Sequence, residues 1–517
     1  MTPPRPGSVE FWAVERPDAP AVVEASRALT YGGWNRAANR IAELLHARAS
    51  VGQGDRVAVC TRNRVEWFVT QAALAKLGAL LVPVSYRLTP AEVHYIVADA
   101  EARALIFDHE DQGALSRVWT DAPPSERPSR VALALSVLPA ARDDVIWFEH
   151  ASQRGEVVER VAASSPRSIV YTSGTTGRPR GVVTTRSSAR RRSERPSRAA
   201  RDIPAIMRNL LGAPLNHAAG QASARATHAA GGCVYLMPRF DAEQALRIID
   251  REKITTSFLV PTMLNRIVSL PDEVLDRYDL SSIQLLTTGA SPCPQAVKEK
   301  VIARFGAHCL FESYGSTEVG LVSRMLPGDH LRKPGSCGRL LEGVEVRLVD
   351  ERGEQVAPGE LGEIQVRTPN MIERYLNEGV PDALVDGFFA TGDVGRFDDD
   401  GYLYIVDRKK DMIIAGGVNI YPAEIESALR EHPDVLDAAA FGIPHADLGE
   451  QVKAVVECVR GSSVTQEQLL DFVEDRLAPY KRPRSIEVLA EIPRNPTGKV
   501  LKAELRAPYW RGRERAI

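Results

Sequence analysis

A chain of 517 residues, 44% hydrophobic and 26% charged, has room for more than one domain and a sizeable core. A formal net charge of −2, with no basic stripe interleaved with aromatics, gives no electrostatic case for nucleic acid or a membrane surface. The longest apolar stretch, near residues 77–84, is far too short to span a bilayer, and the opening MTPPRPGSVEFW lacks the apolar core of a signal peptide.

The first part of the chain alternates two periodicities. Residues 34–47 have helical spacing, 56–60 read as a strand, 65–77 as a helix and 80–84 as a strand. Residues 90–99 are helical and 104–107 extended. Strands alternating with helices imply βαβ units and a largely parallel sheet. The rhythm returns with a helix over 242–252, a strand over 256–260, a helix opening at Pro261 and a strand over 283–287. From about Gly335 the texture changes. Residues 344–349 and 362–366 alternate as strands around Pro-Gly-Glu, which predicts a small antiparallel β unit. The run DDDG at 398–401 is a turn, followed by a strand over 402–406. A last unit holds a helix over 422–430, strands over 435–441 and 451–458, and a helix over 465–476. The domain boundary falls near 407–410.

The six cysteines, Cys60, Cys233, Cys293, Cys309, Cys337 and Cys458, form no C-x-x-C pair and show no metal spacing with histidine. Free buried thiols in a reducing cytoplasm are expected. Arginine greatly outnumbers lysine, so a lysine inside a motif stands out. Residues 187–201, SSARRRSERPSRAAR, carry six arginines and one glutamate. The plain reading is a solvated helix face or loop, and the sharper one is a docking patch for an acidic partner.

The most informative run is YTSGTTGRPRGV, residues 171–182. Glycine lets the backbone bend and approach a ligand closely. Consecutive N–H groups and hydroxyls make a concave anion cradle, and arginine adds fixed positive charge. That composition suits a polyphosphate; a flexible hairpin loop is the plain alternative. No Gly-Lys-Ser/Thr follows, so this is not a Walker loop. The string resembles the phosphate-binding loop of the adenylate-forming superfamily, which comprises acyl-CoA synthetases, peptide-synthetase adenylation domains and luciferase. That loop commonly reads TSGTTGxPKG; here Arg180 stands where lysine is common.

Five further segments carry the same resemblance. In FESYGSTEVG, residues 311–320, Thr317 and Glu318 offer the hard oxygen ligands that Mg²⁺ prefers. TTGASPCP matches the adenine-side loop and TGDV the ribose-binding turn. DRKKDMIIAGGVNIYPAEIE, residues 407–426, matches the interdomain junction, and PRNPTGK, residues 493–499, the loop that brings a catalytic lysine to the site.

The resemblance implies an α/β fold: a large N-terminal domain, residues 1–407, of βαβ-type sheets with a small β-barrel unit. A small mobile α+β C-terminal domain, residues 408–517, would carry the catalytic lysine. It implies that Thr172, Ser173, Gly174, Thr175, Thr176, Gly177 and Arg180 hold the ATP phosphates. Gly289, Ala290, Ser291, Ser313, Tyr314, Gly315, Ser316, Asp393, Ile405 and Arg408 would bind adenine and ribose. Lys499 would be catalytic with Thr317 and Glu318, the latter two also holding the metal. Lys410 would be the hinge, and Gly416 and Gly417 would let the pantetheine arm of coenzyme A pass. Asn216, His217 and Gly220, in APLNHAAG, would face the acyl substrate.

The expected reaction is ATP-dependent activation of a small-molecule carboxylic acid as an acyl-adenylate, then transfer to coenzyme A. No carrier or condensation unit follows within the chain, which favours CoA as acceptor. A separate carrier-protein thiol, an amine, or a non-carboxylate oxyanion are the alternatives. The segment 221–230 carries Ser223, Arg225, Thr227 and His228 where fatty-acid enzymes are mostly apolar. Either that helix is exposed or the substrate is polar, and the expectation leans to an aryl, cyclic or functionalised acid.

Overall fold

The computed structural model describes residues 4–108, 130–137, 145–154, 157–162, 167–173, 179–184, 207–416, 418–459, 461–494 and 499–511. The βαβ rhythm of the sequence builds two parallel sheets. One has the strand order Leu80–Pro83, Arg56–Cys60, Ala104–Phe107, Leu133–Ser136, Ile146–Trp147, all parallel. The other has nine strands. Its parallel centre runs Pro20–Glu24, Cys233–Leu236, Arg208–Leu211, Thr256–Phe258, Leu285–Gly289, Leu310–Ser316. Antiparallel strands flank it: Arg27–Thr30 at one edge, Gly320–Met325 and Arg339–Leu340 at the other.

The helix Val65–Leu77 packs between these sheets, and every one of its residues is buried. A helix apolar nearly all round belongs in such a place. Its two charges are answered locally. Lys76 Nζ donates to Glu10 at 2.8 Å and to the Arg160 carbonyl at 2.6 Å; Glu66 accepts from Arg27 at 2.5 Å. The helix Tyr31–Ala49 lies beside it, and Trp34, Ile41 and Leu45 join Phe68, Val57 and Val234 in one core.

The predicted antiparallel unit is present: Glu345–Val349, Gly362–Arg367, Phe388–Phe397 and Leu403–Arg408 pair in sequence as a ladder. From Ile413 onward the chain forms a separate sheet with its own core of Ile413, Ile425, Leu429, Ala440, Val456 and Leu469. Strands Val435–His445 and Gly449–Cys458 form its long hairpin, and Ser485–Leu489 adds in parallel.

Several element boundaries match the sequence reading, and the shifts have local causes. The strand expected over 283–287 runs Leu285–Gly289, because Ile283 closes a turn on the Leu280 carbonyl. The strand expected through residue 260 stops at Phe258; Val260 instead precedes the helix Pro261–Val268, with proline in its first turn. The strand expected over 402–406 extends to Arg408, which carries that arginine into the ladder. The cysteines are free, and burial pushes the thiols of Cys233, Cys293 and Cys337 up to about 12, so they are inert. Among the described residues no helix is long and apolar enough to cross a membrane.

One residue that the sequence reading passed over ties the two parallel sheets together at the ends of their strands. Asn63, just after the strand Arg56–Cys60, is 4% exposed. Its amide donates to the carbonyls of Ala213 at 3.0 Å and Met237 at 3.2 Å, and its oxygen accepts from the Leu215 amide at 2.9 Å. Asn63→Ala leaves these buried groups unpaired, at about 1–3 kcal/mol each before relaxation. We expect a clear fall in the thermal midpoint. Asn63→Asp, which keeps the acceptor and loses the donors, should rescue little of it. An unchanged melt for both would contradict this role.

Candidate active site

The phosphate-loop string folds as a hairpin. Val170–Ser173 pairs antiparallel with Pro179–Thr184, placing Thr172 opposite Arg180. The connecting residues Gly174, Thr175, Thr176 and Gly177 lie outside the described residues, as does the arginine-rich run 187–201. The Thr172 hydroxyl donates to Glu318 at 3.2 Å, so the hairpin is joined directly to the GSTE turn. The Arg180 guanidinium lies 4.1 Å over the Tyr375 ring and 3.4 Å from Glu378. A planar cation suits stacking on an aromatic face better than an ammonium does, which accounts for arginine here.

The GSTE turn caps the antiparallel pair Leu310–Ser316 and Gly320–Met325. Gly315 is required by crowding: a Cβ there would sit 2.1 Å from the Gly320 carbonyl oxygen. The Ser316 hydroxyl accepts from the Glu318 amide at 3.2 Å and shapes the turn. Ser313, Tyr314, Thr317 and Glu318 are half-buried. On the neighbouring strand Gly289 lies opposite Ser313, with its Cβ direction only 2.6 Å from the Ser313 carbonyl oxygen. The next residue, Ala290, has φ +69°, a left-handed conformation that non-glycine residues adopt at a cost. Ser291 follows in the same exit loop.

Asp393 draws three elements together. It lies in the strand Phe388–Phe397, opposite Arg408 in the ladder, and is 7% exposed. One carboxylate oxygen accepts from the Tyr314 hydroxyl at 2.7 Å, and the other faces Arg408 Nε at 3.0 Å. The Thr391 hydroxyl accepts from the Asp393 amide at 3.1 Å and fixes the turn. Burial and the adjacent carboxylate push the Tyr314 phenol well above its usual range, so it stays a donor. Ile405, half-buried, pairs with Gly395 on the same ladder.

Lys499 reaches this cluster from the C-terminal unit. Burial lowers its ammonium to about 8, helped by the charges of Arg408 and Lys410 and opposed by Asp393 and Asp411. Its loop, whose residues 495–498 are outside the described set, is pinned on both flanks. Arg494 pairs with Asp437 at 2.5 Å, and Lys502 with Glu426 at 2.7 Å. The sequence reading missed these anchors; a charged residue just outside each end of a Pro/Gly-framed loop was the available signal. Lys410 lies exposed in the single turn Lys409–Asp411. Gly416 has φ +58° at the tip of the hairpin Ile413–Ala415 and Val418–Ile420; Gly417 is outside the described residues.

The acyl-loop residues are placed by the helix Ala218–Ala229. His217 precedes it; burial and nearby Arg87 lower the imidazole to about 4, so it is neutral at neutral pH. Asn216 is buried, its amide 3.2 Å from His217 Nε2. Gly220 lies close to the loop, its Cβ direction 2.6 Å from the Pro214 carbonyl oxygen. Gly212 and Pro214 of that loop help line a cleft of about 780 Å³ between the large and C-terminal units, with Pro493 and Leu501 on the far wall. Three of the helix's polar residues are bonded within the protein. Asn209 donates to Ser223 at 3.0 Å and Thr227 at 2.8 Å, and His228 bonds the Ala21 carbonyl at 3.0 Å. Neither expected alternative holds at those three residues: their polar groups are satisfied inside the protein.

The donor set suits a hard cation held partly by a polyphosphate. Glu318 supplies one carboxylate beside the Thr317 hydroxyl, and no group of three or more His, Cys, Asp or Glu among the described residues could hold a metal alone.

Comparison with known proteins identifies the family. Residues 9–376 match the AMP-binding enzyme family and 424–499 the AMP-binding enzyme C-terminal domain. The chain is 36% identical to a feruloyl-CoA synthase from Amycolatopsis sp., covering 96% of this chain and 98% of that one. It is 35% identical to a fatty acid–[acyl-carrier-protein] ligase from Streptomyces coeruleorubidus, covering 97% and 96%. The structure of o-succinylbenzoate CoA synthetase from Bacillus subtilis, solved with its acyl-adenylate intermediate, aligns with TM-score 0.79 at 28% identity over 97% of this chain and 98% of that one. Family models that match most of the chain, and relatives more than 30% identical along nearly its whole length, place this chain in the AMP-binding, adenylate-forming enzyme family.

Proposed function

We propose that the protein is an AMP-forming acid–CoA ligase. The observation that carries the reading is a buried Lys499 ammonium within electrostatic reach of Asp393 and Arg408, where Asp393 is itself bound to Tyr314 and Arg408. Asp393 accepts bonds from the ribose hydroxyls of ATP, and Tyr314 and Arg408 hold its carboxylate in place. Gly289, Ala290 and Ser291 offer backbone groups to the adenine. The hairpin around Thr172 and Arg180 grips the departing pyrophosphate. Thr317 and Glu318 would hold Mg²⁺ together with phosphate oxygens; the ion supplies charge neutralisation there.

In the first half-reaction a carboxylate oxygen attacks the α-phosphorus, the bond to the β-phosphate oxygen breaks, and pyrophosphate leaves. Two anions must approach each other, so the site supplies cations. Lys499 bridges the carboxylate and α-phosphate and stabilises the charge of the transition state. In the second, the C-terminal unit turns about Lys410, Lys499 withdraws, and the hairpin carrying Gly416 and Gly417 moves to the acyl site. The thiol of CoA attacks the acyl carbon and AMP leaves with the carboxylate oxygen. The finer assignments, residues 1–407 and 408–517 as the two moving parts and Asn216, His217 and Gly220 at the acyl group, belong to this same reading.

The substrate class we assign is an aryl, cyclic or otherwise functionalised acid, supported by the feruloyl-CoA synthase likeness rather than by the helix Ala218–Ala229. A carrier-protein thiol is the second reading, favoured by the acyl-carrier-protein ligase relative and by the arginines of residues 187–201. A panel of hydroxycinnamates, arylacetates and saturated long-chain acids, assayed for pyrophosphate and AMP release, separates these. We expect AMP turnover only with CoA present and highest with an aromatic acid. A saturated long chain as best substrate overturns the acid class. AMP turnover indifferent to CoA but driven by acyl carrier protein overturns the acceptor.

Lys499 generates a pH prediction. Its ammonium, at about 8 in the free enzyme, is charged below that pH and neutral above it. If the charge acts in catalysis, kcat/KM for pyrophosphate exchange falls as pH rises through about 8. Lys499→Arg should remove that falling limb, and Lys499→Ala should lose about 10²–10³ in rate at pH 7. A flat wild-type profile between pH 7 and 9.5, or near-normal exchange in Lys499→Ala, contradicts the assignment.

A further inference from the structure

The helix Pro422–Arg430 opens the C-terminal unit, yet its own cap position, Tyr421, makes no side-chain cap bond. First-turn amides have no partner within a helix and favour an anion. Here the anion comes from across the junction. Asp407 lies in the strand Leu403–Arg408, paired with Val394 in the large unit's ladder, and is 8% exposed. One of its oxygens accepts from the neighbouring Arg408 amide at 2.7 Å; the other accepts from the Ala423 amide at 2.8 Å. Burial raises the proton affinity of this carboxyl, and Lys502 is the principal charge opposing that rise. Lys502 is tied to Glu426 of the same helix at 2.7 Å and stands three residues beyond Lys499.

Asp407 therefore grips, from the large unit, the surface of the C-terminal unit that carries the lysine loop. The Ala423 bond and the Lys502 charge both lie across the turn Lys409–Asp411 from Asp407. A rotation there would keep Asp407 in its ladder and strip Ala423 and Lys502 away from it. We propose that Asp407 is a positioning residue that latches the C-terminal unit in the arrangement presenting Lys499, favouring acid activation over thiol transfer. The inference rests on the two-half-reaction reading above. It adds that the balance between the two arrangements is set by a carboxylate that touches neither substrate.

The test measures the half-reactions separately in the full-length enzyme. Asp407→Ala loses the helix cap and the charge facing Lys502; Asp407→Asn keeps one acceptor, for Ala423, and loses the charge together with the second acceptor that takes the Arg408 amide. A charge-assisted bond of this kind corresponds to a fall of about 10–100-fold in pyrophosphate exchange for Asp407→Ala, with a smaller fall for Asp407→Asn. Release of CoA thioester from supplied acyl-adenylate, synthesised from the panel's best acid, should be unchanged or faster in both. A purely structural role lowers both half-reactions together, and that result overturns the latch. So does an unchanged ratio of the two rates in Asp407→Asn, the milder change and the deciding variant if Asp407→Ala folds poorly. Absence of exchange in the wild-type enzyme with every acid would instead overturn the ligase reading itself.

Discussion

The Asp393 carboxylate, held between the Tyr314 hydroxyl and the Arg408 guanidinium, is the contact around which the site is organised. It connects the edge of the nine-stranded sheet, the antiparallel ladder and, through Arg408, the junction to the C-terminal unit. Arg408, Lys410 and Lys499 bring positive charge near this one buried acid, and Lys499 loses proton affinity, first through burial and then through those charges. A pocket so charged is unfavourable by itself and favourable around a polyanion. Electrostatics of this kind ready the site for ATP before the acid arrives.

The sheet explains why these groups converge. Strands Arg208–Leu211, Thr256–Phe258, Leu285–Gly289 and Leu310–Ser316 are parallel neighbours. Their carboxyl ends lead to the acyl loop, to the helix at Pro261, to the Ala290 turn and to the GSTE turn. Ligands of open α/β sheets bind outside those ends, where the loops diverge. From the second sheet, Asn63 fastens the first of these exits, at Ala213 and Leu215, and the end of the neighbouring strand Cys233–Leu236, at Met237.

Much of this was legible in the sequence. The helices Val65–Leu77, Pro90–Asp99, Ala242–Glu252 and Pro422–Arg430 begin and end where periodicity and proline or cap signals put them. The motifs that resemble a nucleotide site meet: Thr172 reaches Glu318, and Tyr314 reaches Asp393. What was not legible depends on contacts between distant segments. The polar face of the helix Ala218–Ala229 looked like a substrate surface because its partners, Asn209 and the Ala21 carbonyl, are invisible to a local reading. Asp407 looked like a junction residue, and nothing near it in sequence announces that it caps a helix 16 residues on.

The central claim, that a carboxylate oxygen is passed to AMP through an acyl-adenylate, is tested most directly with an ¹⁸O-labelled carboxylic acid. Turnover with ATP and CoA is followed by mass analysis of the AMP. Each AMP released should carry one labelled oxygen, and pyrophosphate none. Label appearing in inorganic phosphate, or AMP formed without label, would contradict the claim.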